Sequence, residues 1–295
     1  MYYKKRVREG KGEGVDTGQI KGRIRKQIRV FVLAALLLCT LCACQDRAGE
    51  KETSHTDLPE LKIGISRIKP FFYRDQSGDD AGVDADLARE ACRRAGYTPV
   101  FVDLAFDEKK QALQDGEVDC LWGEFLETQQ GESCRWTDCY LETSIAILVQ
   151  QSCPDESLET LRSNGGIAAI AGSKTEQILL ETIQKKDIQQ NVYSCDSFSL
   201  AETAFVKGYA GAFACNEMVL QEIMREYPDT YRILDEKLAS ASLGVVFLKE
   251  SDSACFDRIN SALAGMKADG TVSRLCDSYH IKEADTQEVH ADGQD

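Results

Sequence analysis

The sequence predicts an α/β protein in which mostly parallel β-sheets are covered by helices on both faces. From Leu61 onward, short runs rich in Val, Ile and Leu alternate with segments whose apolar residues recur every three or four positions. The first pattern is typical of buried strands and the second of amphipathic helices. Strands separated by helices form parallel sheets, because a helix must carry the chain back before the next parallel strand begins. The chain has 295 residues, of which 43% are hydrophobic, so it can build two such domains.

The individual strands are predicted from apolar runs and the helices from apolar spacing. The first strand, 61–65, reads LKIGI, and the first helix places Leu87, Ala91 and Ala95 on one face. Later strands are predicted at 99–102, 118–122, 145–149, 167–170, 192–195, 212–215 and 243–248. Later helices are predicted over 107–114, from about 174, over 200–207, through 259–266 and through 272–279.

The charge of the chain is divided unevenly. Residues 1–44 contain ten Lys and Arg against three Asp and Glu, a net charge of +7. The remaining residues contain 25 against 46, a net charge of −21. A body this acidic repels a phosphate backbone, so we expect no nucleic-acid partner.

Residues 1–43 are predicted to be a lipoprotein signal peptide. A basic segment ends at Arg29, an apolar run follows over 30–38, and residues 41–44 read LCAC. The apolar run is shorter than the ~20 residues that a membrane span requires. Residues 41–44 resemble the bacterial lipobox, in which the final Cys carries the lipid. Cys44 is therefore the predicted lipidation site.

Two alternatives to this lipobox are an uncleaved anchor and a secretory signal cut after Ala43. Lipidation with two or three acyl chains would hold the protein stably on a membrane, whereas a single chain is marginal.

Residues 44–60 are polar and are predicted to be a flexible tether.

Seven short motifs are spread over residues 70–271. Residues 82–88 read GVDADLA, residues 112–119 read ALQDGEVD, and residues 267–271 read KADGT. The other four are Pro70-Phe71, WTDCY at 136–140, LETL at 158–161 and GSKTE at 172–176. In this order they resemble the motifs of the type II periplasmic binding proteins that serve polar amino-acid ABC importers. The resemblance extends over about residues 61–281.

The resemblance implies two α/β lobes joined by two crossing strands, with the ligand enclosed between the lobes. Lobe one would comprise residues 61–143 plus 243–281, lobe two residues 146–240, and a disordered acidic tail residues 282–295. A cleft between domains is a common ligand site, and its closure is the signal that an importer recognises.

The function implied by this resemblance is a solute-binding protein, not an enzyme. It would capture a small polar, amino-acid-like solute and deliver it to an ABC permease in the membrane. We expect a monomer that lies outside the cytoplasm and is held on the cell membrane by its lipid anchor.

Proteins of the resembled family hold an α-amino acid through its two charges, with an Arg for the carboxylate and an Asp for the ammonium group. Counting back from Trp136 places Gln130 at the Arg position, and the segment FACNE places Asn216 at the Asp position. Neutral amides thus replace both charges, and charged hydrogen bonds are about twice as strong as neutral ones. The sequence therefore predicts weak binding of free α-amino acids. The alternative is a local shift of the alignment, in which Arg135 is the nearest Arg.

Other predicted ligand contacts lie on both lobes. Ser173 and Lys174 belong to a turn between a strand and a helix, where backbone N–H groups can bind an anion. Lys174 either adds a cation to that site or extends into solvent. Lys69 and Lys109, near the cleft entrance, are predicted to be surface lysines. Further predicted contacts on lobe one are Phe72, Trp122, Gly123, Glu124 and Phe125.

The cysteines predict no metal site, and no cofactor is expected. Of the twelve, three lie in the signal region and nine follow it. Those nine form no C-x-x-C pair, and the three His lie in or near the tails, so zinc is not expected. Several of the nine occupy apolar positions typical of small core residues. Cys134 and Cys139 are the best candidates for a disulfide.

Two other functions are possible on the same fold. A cyclohexadienyl dehydratase-like enzyme would need a buried carboxylic acid in the cleft, which Glu124 could supply. A ligand sensor would instead hand its signal to a membrane partner other than a permease.

Replacing Cys44 with Ser is expected to abolish lipidation, because its thiol is the attachment point in the predicted lipobox. Bacterial cells that express the variant should incorporate no labelled fatty acid into the chain. Cys42→Ser removes a thiol two residues earlier and serves as the control, which should be labelled like the unchanged chain. Equal labelling of the Cys44→Ser variant would contradict the assignment.

Overall fold

The computed structural model describes residues 58–123, 133–161 and 165–281. The predicted signal peptide, Cys44, most of the tether and the tail at 282–295 lie outside the described residues. Within them, no helix combines the length and the apolar character that a membrane crossing requires.

Strands and helices alternate through this part of the chain, as the sequence predicts. The strands are β1 (Glu60–Ile65), β2 (Tyr73–Arg74), β3 (Asp80–Ala81), β4 (Thr98–Asp103), β5 (Cys120–Leu121), β6 (Cys134–Trp136), β7 (Leu141–Gln150), β8 (Ile167–Ile170), β9 (Val192–Cys195), β10 (Ala212–Asn216), β11 (Tyr231–Ile233), β12 (Ala239–Leu243) and β13 (Val246–Leu248). The helices are α1 (Val83–Ala95), α2 (Lys109–Gln114), α3 (Lys174–Lys185), α4 (Phe198–Val206), α5 (Glu217–Glu226), α6 (Ser253–Ala268) and α7 (Thr271–Ser278).

The first sheet has the strand order β4-β1-β5-β13-β6. Its strands β4, β1 and β5 are parallel, with Ile63 of β1 opposite both Phe101 and Cys120. β13 is antiparallel to β5 and β6, which places Val246 opposite Trp136. Helices α1 and α6 pack against each other beside this sheet, and their buried faces include Leu87, Ile259 and Leu263. These elements form the first lobe.

The second sheet has the strand order β11-β7-β10-β8-β9, and β12 also pairs with β7. Strands β10, β8 and β9 are parallel, whereas β7 is antiparallel to β10 and β11. Ile147, Ile167 and Ala214 are completely or almost completely buried in the core of this second lobe. Each lobe therefore combines a parallel set of strands with antiparallel strands at one side.

Two antiparallel strands connect the lobes. The chain leaves the first sheet after β6 and enters the second along β7, and it returns along β12 to β13. β7 and β12 pair from Leu141 opposite Leu243 to Ile145 opposite Ala239. The fold is thus the two-lobed α/β architecture with two crossing strands that the sequence predicts, while the residue-level lobe boundaries stay a prediction.

The predicted strand at 243–248 is broken in the structure. β12 ends at Leu243 and β13 begins at Val246. The break occurs because Val245 pairs with Thr137: its N–H donates to Thr137 Oγ1 at 2.9 Å, and its carbonyl accepts from Thr137 N at 3.0 Å. Helix α5 is not among the predicted helices, although Asn216 caps it and its buried residues follow helical spacing.

Gly82 precedes α1 at a point where the chain lies close to the loop at 70–71, whose carbonyls accept hydrogen bonds from the first N–H groups of the helix. Val83 N donates to Pro70 O at 3.0 Å and Asp84 N donates to Phe71 O at 3.1 Å. Gly82 has φ 119° and ψ 160°, a conformation that is essentially restricted to glycine. A Cβ atom at this position would lie 2.1 Å from Phe71 O. The glycine of the GVDADLA motif is therefore required by the close approach of two backbone segments.

Gly82→Ala is expected to destabilise the protein more than Gly96→Ala. Both glycines have positive φ, but a Cβ at Gly96 would have no atom within 4 Å. Gly96→Ala should therefore cost about 1–3 kcal/mol from backbone strain alone. Gly82→Ala should exceed this, because the loop at 70–71 must also move. Urea denaturation of both variants measures the difference, and equal losses of unfolding free energy would contradict the explanation.

Candidate functional site

A cavity of about 890 Å³ lies between the two lobes. The first lobe lines it with Phe106, Leu121 and Trp136, and the second with Ile170 and Cys215. The carboxyl ends of parallel strands in both sheets border this cavity, which is the edge where α/β proteins commonly bind ligands. Its volume lies in the range of small-molecule sites.

Predicted contacts Ser173 and Lys174 line the cavity on the second lobe. Ser173 caps α3, and its Oγ accepts from Glu176 N at 3.1 Å. Glu176 reaches back so that its carboxylate accepts from Gly172 N at 2.7 Å. This reciprocal capping fixes the turn 172–173 at the helix N-terminus. Because the N-terminus of a helix carries partial positive charge, this wall of the cavity favours an anionic group.

Lysines border the cavity on both lobes. Lys174 is partly buried, and its Nζ donates to Gln177 Oε1 at 3.3 Å. Lys109 is only 3% exposed, and its Nζ lies 5.1 Å from the centroid of the Phe106 ring. The expectation that Lys109 is a surface lysine is therefore wrong. The physical reason is that Lys109 stands in the first turn of α2, on the side that faces the second lobe across the cavity.

Asn216 lies at the carboxyl end of β10, directly after the cavity-lining Cys215, and is 1% exposed. Its Oδ1 accepts two hydrogen bonds, from Met218 N at 2.9 Å and from Thr143 Oγ1 at 2.9 Å. The bond from Met218 N fixes the orientation of the amide, because only the oxygen can accept it. Within the described residues, Asn216 Nδ2 has no hydrogen-bond partner.

Three predicted contacts, Phe72, Trp122 and Gly123, are buried in the first lobe. Phe72 and Trp122 are fully buried, and Phe72 packs edge-to-face on Phe101 with ring centroids 5.2 Å apart. Gly123 has φ 91°, and a Cβ there would come within 2.9 Å of the Phe72 ring. None of the three is among the residues that line the cavity, so their contact with a ligand stays a prediction.

The remaining predicted contacts, Glu124, Phe125 and Gln130, lie outside the described residues. So does the carboxylic acid on which the dehydratase alternative depends. Phe106 lines the cavity without having been predicted. Its signal in the sequence is an aromatic residue in the short loop between a strand and a helix, at the edge of the sheet where ligands bind.

Arg135, the alternative carboxylate ligand, contacts the start of α6 instead. Its guanidinium lies 4.2 Å from the centroid of the Phe256 ring and donates to the carbonyls of Ser251 and Asp252. Arg135 is not among the cavity-lining residues, although its neighbours Cys134 and Trp136 are. Because the period of a strand is two, Cys134 and Trp136 share one face and Arg135 occupies the other.

Buried polar residues anchor the first crossing strand to the first lobe. Tyr140 Oη donates to Asp84 Oδ2 at 3.0 Å, and both side chains have 0% exposure. Asp84 stands in the first turn of α1, where the helix dipole stabilises a carboxylate. Burial and the neighbouring Asp84 together raise the pKa of Tyr140 well above its ordinary value, so its hydroxyl remains a donor.

No group of His, Cys, Asp and Glu in the described part of the chain could hold a metal ion. Cys134 and Cys139 each carry a free thiol. The expected disulfide between Cys134 and Cys139 is therefore not formed. Cys134 pairs with Leu248 at the edge of the first sheet, whereas the Cys139 thiol donates to Leu141 O at 3.2 Å.

Two lobes, two crossing strands and a small-molecule cavity between the lobes define the class of two-domain binding proteins that enclose a solute. The chain belongs to the bacterial extracellular solute-binding proteins, family 3, whose model matches residues 61–282. It is 26% identical over 230 residues to the histidine-binding periplasmic protein of Escherichia coli K12, which covers 74% of this chain and 86% of that protein.

Other relatives are named for the binding of other amino acids. The chain is 26% identical over 259 residues to the glutamate-binding protein GluB of Corynebacterium glutamicum, covering 82% of this chain and 85% of that protein. Among solved structures, an ancestral arginine-binding protein bound to arginine matches with a TM-score of 0.68 and 26% identity. That match covers 76% of this chain and 99% of the other.

Tyr140→Phe is expected to lower the free energy of unfolding by about 1.5–3 kcal/mol, because a buried carboxylate loses a hydrogen bond. Tyr209→Phe is the matched control, since that side chain is 67% exposed, and it should change stability by less than about 0.5 kcal/mol. Urea denaturation gives both values. Equal effects of the two substitutions would show that the bond between Tyr140 and Asp84 does not anchor the crossing strand.

Proposed function

We propose that this chain is a lipid-anchored receptor that captures a small polar solute and delivers it to an ABC importer. The observation that carries the proposal is the cavity of about 890 Å³ between two lobes that are joined by two antiparallel strands. Two strands permit a hinge motion that closes the lobes on a ligand, and closure distinguishes the loaded receptor from the empty one. Family membership supports solute capture for transport.

The proposed binding residues fall into two groups. Ser173, Lys174 and Asn216 belong to the second lobe, at the carboxyl ends of β8 and β10. Phe72, Trp122, Gly123, Glu124, Phe125 and Gln130 belong to the first lobe or its adjoining segment. In this proposal the second lobe contributes the polar contacts that orient the solute, because a buried polar group is satisfied only by a ligand of matching polarity.

The lipid on Cys44 would keep the receptor close to its permease. The polar tether that precedes the first strand allows the two lobes to move over the membrane surface while the anchor remains in place. This part of the proposal is independent of the ligand site, and the labelling experiment with Cys44→Ser tests it separately.

A thermal-shift panel of amino acids, amines, dicarboxylates and nucleosides tests solute capture. A ligand present at 100 times its Kd should stabilise the folded protein by about 2.7 kcal/mol, because it binds the native state and not the unfolded chain. At least one member of the panel should raise the melting temperature, and ordinary α-amino acids should raise it least. If no polar solute shifts the melting temperature, solute capture is refuted.

A further inference from the structure

We infer that the captured solute is a carboxylate anion without an α-ammonium group. This inference rests on the proposed function, since it names the chemical class that the same cavity accepts. It depends on the polarity of one buried amide and on the charges of the cavity walls.

Asn216 follows the cavity-lining Cys215, and the group it has left for a ligand is a donor, whereas an ammonium group would need an acceptor. Its Oδ1 has two lone pairs, and the donors Met218 N and Thr143 Oγ1 occupy both at 2.9 Å. The polar capacity left over is the Nδ2 group, which is buried and has no partner among the described residues. A carboxylate or carbonyl oxygen satisfies this group, whereas an ammonium group would bring a second donor and leave both unpaired.

The walls of the cavity favour negative charge on the ligand. Of the charged side chains that line the cavity in the described part of the chain, Lys109 is the one that is buried. Lys174 and the N-terminus of α3 face it from the second lobe. A carboxylate placed between these two walls interacts with positive charge on both sides, which strengthens as the lobes close and exclude water.

The acidic residues that line the cavity do not reverse this preference. Glu176 is occupied with Gly172 N at the cap of α3, and Glu181 accepts from Gln177 Nε2 at 2.6 Å. Asp107 and Glu181 are exposed, as is the third cation, Lys110. Charges that remain in water contribute little to binding. Among the buried and partly buried charges of the cavity, Lys109 and Lys174 outnumber Glu176, whose carboxylate already accepts from Gly172 N.

The test compares ligands in which the α-amine is present, is absent or is replaced by a keto group, on the full chain in detergent solution. Glutarate and 2-oxoglutarate are matched with glutamate, and succinate with aspartate, by isothermal titration calorimetry. Each anion without the amine should bind at least about tenfold more tightly than its amino-acid partner, the equivalent of one neutral hydrogen bond. Tighter binding of the amino acids would overturn this inference and leave solute capture standing.

Asn216→Asp reverses the polarity of the buried group with almost no change in shape. The carboxylate still accepts from Met218 N and Thr143 Oγ1, so the cap of α5 is preserved, but the free donor is lost. Anion affinity should fall by about 10–100-fold, the range for a hydrogen bond to a charged group, and the amino-acid partner should gain. Unchanged selectivity in a folded variant would refute the role of Asn216. If the variant does not fold, the ligand pairs with the unchanged chain still decide the question.

Comparing Lys174→Gln with Lys185→Gln distinguishes the effect of a cation on the cavity wall from the effect of the overall charge of α3. Both lysines lie on α3, but Lys185 is exposed at its far end and is not among the cavity-lining residues. Lys174→Gln should weaken anion binding about tenfold, and Lys185→Gln should leave it unchanged. Equal effects of the two substitutions would contradict a cationic wall. If no carboxylate and no other polar solute binds, the proposed function fails and this inference fails with it.

Discussion

The antiparallel pairing of β7 and β12 is the constraint on which the rest of the structure depends. It is the place where the chain passes twice between the lobes, and its register sets Ser144 opposite Ser240. β7 and β12 belong to the second sheet, and the chain continues from them into β6 and β13 of the first, so the pairing ties together the two sheets that border the cavity. A shift of one residue would turn every side chain of β12 to the opposite face. Thr143, which occupies this pairing, also bonds Asn216 and so couples the hinge to the site.

The first lobe is tied to this hinge by buried polar contacts and by backbone shape. Tyr140, one residue before β7, bonds Asp84 at the start of α1, and that start is held by the carbonyls of the loop at 70–71. Gly82 and Gly123 permit the close approaches that this packing requires, each with positive φ. The GVDADLA motif therefore serves the architecture around the hinge, since its glycine, its first Asp and its helix all meet there.

The second lobe supplies Ser173, Lys174 and Asn216, the described polar residues among the predicted ligand contacts. Ser173, in the turn after β8, and Asn216, the last residue of β10, each cap a helix. Ser173 lines the cavity, and Asn216 adjoins the cavity-lining Cys215. Each side chain accepts one capping hydrogen bond, and Asn216 Oδ1 also accepts from Thr143 Oγ1. The amide of Asn216, Lys174 and the start of α3 offer a ligand donors and positive charge. The same interactions that end the strands and begin the helices thus set the polarity of the site.

Local patterns in the sequence determined the elements: β8 and β9 coincide residue for residue with the predicted strands at 167–170 and 192–195. The sequence also predicts that Asn216 stands where the resembled family has an Asp, because a motif is a property of neighbouring residues. Only the tertiary structure decided that Lys109 is buried, that the strand at 243–248 breaks to pair with Thr137, and that Thr143, 73 positions away, leaves Asn216 as a donor. Burial and hydrogen-bond polarity depend on partners that are distant in the chain and adjacent only in space.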